Sequence, residues 1–108
     1  MANKNNNKYE YAVRIPVKML QITEPDGFVR PVAFYWENKD GSIKKVKIDR
    51  CVNITPEAEI ISGTVGERFE CEIMGKREYL YYGRLNPRKW FAVVSVTEDE
   101  YNAYYKLP

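Results

Sequence analysis

From Tyr9 onward the apolar residues return at every second position. Tyr9, Tyr11, Val13, Ile15, Val17 and Met19 alternate with Glu10, Ala12, Arg14, Pro16 and Lys18. A period of two places one set of side chains on each face of an extended strand, so the run predicts a long β-strand with one buried face. Leu20 and Ile22 then shift the apolar residues to even positions. Such a change of phase inside one run predicts a β-bulge near Met19–Leu20. Pro16 has no N–H to give to a ladder, which predicts an edge segment at that point.

The same period recurs along the chain. Glu24-Pro25-Asp26-Gly27 forms a turn signal, because proline presets φ and glycine tolerates a positive one. A second strand is expected from Phe28 to Trp36, a hairpin turn at Asp40-Gly41, and a third strand from Ile43 to about Val52. Asn53 to Gly66, with Pro56 and Gly63, reads as a long loop with one helical turn from Thr55-Pro56-Glu57. In that reading Ile60 or Ile61 straps the end of a barrel. Phe69, Cys71 and Ile73 alternate with Arg68, Glu70 and Glu72. Gly75-Lys76 is expected as a two-residue hairpin loop of type II′. Arg77 to Leu85 and Trp90 to Val96 read as strands that are apolar on both faces, joined by a turn at Asn86-Pro87-Arg88. Thr97-Glu98-Asp99-Glu100 has capping-box spacing, and Tyr101, Tyr104 and Tyr105 follow at helical intervals. A helix this short needs tertiary packing to persist.

The predicted fold is all-β and mainly antiparallel. It is a small SH3-like or OB-like barrel of about six strands with a short C-terminal helix. At 108 residues the chain makes one domain. Its expected organisation is an Asn/Lys-rich disordered tail over 1–8, the barrel over 9–96, and a helix and tail packed on the barrel over 97–108. No apolar run reaches membrane-spanning length and no signal-like stretch follows the first charges, so a cytoplasmic protein away from membranes is expected.

Some elements form an ordered series: Asp26-Gly27 before Pro31, Phe34-Tyr35-Trp36, Ile48-Asp49-Arg50, Gly66-Glu67-Arg68-Phe69, Arg77-Glu78-Tyr79-Leu80 and Trp90-Phe91. The series resembles a family of small bacterial β proteins that forms a domain of unknown function. The likeness covers about Tyr9 to Val96 and consists of core and turn residues. It implies a shared barrel-like fold and a bacterial, intracellular setting, and it implies no activity.

The absence of histidine removes Ser-His-Asp and Cys-His catalysis and imidazole metal ligation. Cys51 and Cys71 alone cannot complete a four-ligand zinc site, and they are expected as free, buried thiols. Glu70 and Glu72 share a strand face, but alternation with Phe69, Cys71 and Ile73 puts them on the wet side, where carboxylates keep ordinary acidity. No glycine-rich phosphate loop is present. Neither an enzyme nor a cofactor is expected.

The net charge is only +2, yet cations gather in two segments. One carries Lys44, Lys45 and Lys47, and the other carries Arg84, Arg88 and Lys89. Should these share a face, Tyr82 and Trp90 would supply stacking platforms between phosphate-binding cations, as in single-stranded nucleic-acid binding. The competing reading makes the lysines a solvated strand face or an edge guarded against pairing. The functional expectation is therefore a non-catalytic binding module for a protein partner or a second copy, with nucleic acid as the alternative ligand.

Overall fold

The computed structural model describes residues 11–59 and 65–105. The expected tail over 1–8 and the Ile60/Ile61 strap lie outside the described residues. Seven strands, β1 (Tyr11–Thr23), β2 (Val29–Glu37), β3 (Ile43–Lys47), β4 (Arg50–Glu59), β5 (Val65–Ile73), β6 (Lys76–Gly83) and β7 (Trp90–Val96), precede a helix α1 (Glu98–Tyr105). They form one antiparallel sheet in the order β3-β2-β1-β7-β6-β5-β4. The sheet is strongly curled into a half-barrel, which replaces the expected closed barrel of about six strands.

The extra strand comes from a break in the expected third one. β3 ends at Lys47, and after Ile48 and Asp49 the chain starts β4 at the opposite end of the sheet. Both intervening residues are held in place. Ile48 is buried and its N–H donates to the Val32 carbonyl (2.9 Å), while the Asp49 N–H donates to the Glu72 carbonyl (2.8 Å). The Asp49 carboxylate also accepts the Met74 N–H (3.1 Å). β4 then runs through most of the segment read as a loop, with no helical turn at Thr55–Glu57. Its ladder with β5 shifts register between Thr55 and Ala58, and this irregularity accommodates Pro56 on an edge strand.

The turns follow local chemistry. Gly27 and Gly41 take positive φ, and Asp26 and Asp40 accept the N–H groups of Phe28 and Ser42 (both 2.9 Å). The β5–β6 loop is Met74-Gly75 and not Gly75-Lys76. Ile73 pairs with Lys76, and both loop residues have positive φ, as a type I′ turn requires. The expected bulge in β1 falls between Leu20 and Gln21.

One apolar cluster fills the concave face. Phe34, Ile48, Phe69, Cys71, Ile73, Leu80 and Trp90 are buried together, with Val17, Met19, Trp36 and Val46 packed against them. The outer face of β6 and β7 is also aromatic, as their two-sided pattern predicts, but α1 does not cover it. Arginines do: Arg14 lies over Phe91 (5.3 Å) and Arg68 over Tyr79 (4.7 Å). α1 instead sits at the start of β1, where the Tyr101 ring meets Tyr11 at 5.0 Å. Its capping box forms as expected. The Glu100 carboxylate accepts the Thr97 N–H (3.0 Å), and the Thr97 hydroxyl accepts the Glu100 N–H (3.2 Å).

Candidate binding site

β1 changes partner along its length. Lys18 to Thr23 pair with β2, whereas Tyr11 to Val17 pair with β7. The β1–β2 ladder stops at Lys18–Tyr35, two residues short of Pro16, which has no N–H to extend it. Beyond that rung the two strands diverge and leave a fork. Ile15, Pro16, Val17 and Lys18 form one wall, and Tyr35, Trp36, Glu37 and Ile43 form the other, around a cleft of about 620 Å³. Lys39 at the β2–β3 hairpin tip pairs with Glu100 of α1 (3.3 Å), which ties that hairpin to the helix. Ile43 is 61% exposed, so the cleft offers an apolar lip to solvent. Lys18 and Glu37 give it one charge of each sign on opposing walls.

The residues proposed from sequence for nucleic acid are distributed less favourably. Trp90 is only 4% exposed and its Nε1–H donates to Gln21 (2.8 Å). Tyr82 stacks on it at 4.5 Å and 20°, and Phe69 packs against it at 4.9 Å. Tyr82 in turn carries the Arg88 guanidinium 3.9 Å from its ring centre. Trp90 thus serves as core and Tyr82 as the middle layer of a stack, so neither offers a free platform. Glu67, the cross-strand neighbour of Tyr82, binds both Arg84 (3.2 Å) and Arg88. Arg88 further donates to the carbonyls of Gly83 (2.8 Å) and Tyr82 (3.2 Å). These two arginines hold the β6–β7 turn and share the single carboxylate of Glu67, which offsets one of their two charges.

The lysines divide by strand phase. Lys44 pairs with Trp36, while Lys45 pairs with Tyr35 and Lys47 with Ala33. Tyr35 is also the rung partner of Lys18, whose ammonium lies 5.6 Å from its ring centre. Lys18 and Lys89 line a common depression beside Trp90. The structure therefore joins Lys45 to Lys89 through Tyr35 and Lys18, two residues that sequence reasoning passed over. Lys18 occupies the wet phase of β1 and so carried a signal; Tyr35 is identified only by cross-strand register.

Glu70 and Glu72 both sit in ion pairs. Glu70 binds Arg77 (2.6 Å) and Glu72 binds Arg50 (2.9 Å). Its hydrogen bond from Arg50 holds the Glu72 carboxyl below the usual carboxylate range. Such a carboxylate is a poor proton donor near neutral pH.

No family model, curated protein or solved structure matches the chain.

Proposed function

We propose that the chain is a non-catalytic binding module and that its ligand is an extended segment of a partner protein seated in the fork between β1 and β2. The observation that carries this reading is the fork itself. Its volume lies within the range of ordinary ligand sites, and its walls combine aliphatic and aromatic surface with one cation and one anion. Among the described residues, Ile15–Val17 have β7 as their only strand neighbour. An extended ligand fits such a wall because its alternate side chains fall toward Trp36 and Ile43. The kinship with small bacterial β proteins belongs to the same proposal.

The test is selection of peptides from a random displayed library on the full chain, repeated on Ile43→Asp. The expected result is enrichment of sequences with apolar residues at alternate positions, lost on the variant. No enrichment, or enrichment indifferent to Ile43→Asp, overturns the reading.

One observation favours a second reading. The Lys45–Tyr35–Lys18–Lys89 row sets cations along one face with an aromatic ring between them, which suits single-stranded nucleic acid. Anisotropy of labelled oligonucleotides at low and physiological salt separates the two. Binding that falls steeply with salt and on Lys18→Ala/Lys45→Ala selects nucleic acid over peptide.

A further inference from the structure

Cys51 on β4 and Cys71 on β5 are direct cross-strand partners, and their sulfurs lie 3.4 Å apart. Both are free thiols. Opposed residues of an antiparallel pair have Cα atoms about 4.5–5.5 Å apart, inside the range a disulfide spans. Side-chain rotation alone can bring such sulfurs to bonding distance. The strands around them are held by other bonds, since Arg50 and Glu72 pair one position away and Asp49 binds the Glu72 carbonyl.

The two thiols differ in access. Cys71 is 0% exposed and belongs to the core cluster. Cys51 is half-buried and lines a cleft of about 320 Å³ with Phe28, Arg30, Pro31 and Asn53, a cleft that Cys71 does not reach. A bulge follows Cys51 immediately in the ladder, where strand pairing is locally loosened. A small disulfide can therefore meet Cys51 first, with Cys71 waiting behind it.

We propose that Cys51 and Cys71 form a reversible two-thiol redox site, with Cys51 as the entry thiol and Cys71 as the resolving thiol, oxidised by a low-molecular-weight disulfide. The Cys51 thiolate attacks one sulfur of the oxidant. The oxidant's S–S bond breaks and one thiolate leaves, giving a mixed disulfide on Cys51. Cys71 then gives up its proton and attacks the Cys51 sulfur, expelling the second thiolate. Two protein thiols are oxidised, one disulfide is reduced to two small thiols, and the two protons end on those products. Burial pushes the Cys71 thiol well above its ordinary pKa, which keeps it from competing as the entry thiol. The product ties the edge strand β4 to β5. This proposal is independent of the fork and its ligand.

The experiment treats the full-length chain with oxidised glutathione across a series of glutathione ratios and reads intact mass and alkylatable thiols. The expected product is a monomer lighter by two hydrogens with no alkylatable thiol, restored by dithiothreitol. Cys71→Ala should instead accumulate a glutathione adduct on Cys51, and Cys51→Ala should stay unmodified while folded. A stable glutathione adduct on the unsubstituted chain, a disulfide-linked dimer, or retention of both thiols in fully oxidised glutathione would each overturn the proposal. Should a variant fail to fold, the intact mass of the unsubstituted chain still decides.

Discussion

Replacing Gly66 by alanine tests the close approach of β5 and β6 beneath the Tyr82 stack. Gly66 pairs with Gly83, and a Cβ at position 66 would stand 2.9 Å from the Gly83 Cα and closer still to the Tyr82 carbonyl oxygen. These are backbone atoms, so no side chain can swing aside. Relief requires β5 and β6 to separate locally, at the cost of about two ladder hydrogen bonds near 1 kcal/mol each. Residual overpacking adds about 1–3 kcal/mol. The expected destabilisation is thus about 3–5 kcal/mol, a large share of the roughly 5–15 kcal/mol that holds a domain together. The same carbonyl accepts from Arg88, so the arginine's grip on the β6–β7 turn should loosen as well. Urea unfolding followed by the fluorescence of Trp36 and Trp90 is the assay. With a slope of about 1–3 kcal/mol per molar, the midpoint should fall by about 1–5 M or the chain should fail to fold. Gly41→Ala is the control. Its Cβ would meet nothing within 4 Å, but its φ of +89° strains an L-residue, for about 1–2 kcal/mol. A Gly66→Ala midpoint no lower than that of Gly41→Ala would refute the reasoning.

Two further outcomes follow from the ion pairs and the cap. Thr97→Ala removes the hydroxyl that accepts the Glu100 N–H, so α1 should fray at a cost of about 1 kcal/mol, read as faster amide exchange over 98–101 with the sheet unchanged. Glu72 and Glu100 are held below the usual carboxylate range, Glu72 chiefly by its bond from Arg50 and Glu100 by that from the Thr97 N–H. The unfolded chain binds those protons more readily, so their stabilisation is complete above the ordinary carboxylate pKa and is lost as pH falls through the lower folded values. Acid titration of Glu72→Gln should show a shallower decline than the parent chain; an identical slope would exclude Glu72 as a source.

Strand periodicity made most of the ladder legible, and it failed where tertiary structure acted against it. Val46 and Ile48 continue one alternation, so nothing local marks the break between β3 and β4. That break exists because the curled sheet brings Val32 and Glu72 to the backbone of Ile48 and Asp49. β4 was hidden for the opposite reason, since Pro56 and two register shifts erase its period although β5 still pairs with it. Among the site residues, the aromatic density was visible but its use was not. Only the β5–β6 register shows that Glu67 faces Tyr82 and reaches both arginines. Pro16, read as an edge signal, marked the fork that the proposed function uses.

The strand order also dictates how such a chain must assemble. β1 to β3 form one meander and β4 to β7 another, and among the strand ladders of the described residues only β1–β7 pairs residues from opposite ends of the chain. Local hairpins form in about 1–10 μs, whereas distant pairings wait on loop closure. Docking of β1 on β7 is accordingly the natural slow step. The Ile48-Asp49 link shortens that search, because it tethers the two meanders by only a pair of residues. Before docking, nothing obliges β1 to leave β2 except Pro16. The fork therefore takes its final shape only as the two halves of the sheet meet, and a chain stalled before that event would carry both meanders without a finished fork in the first of them.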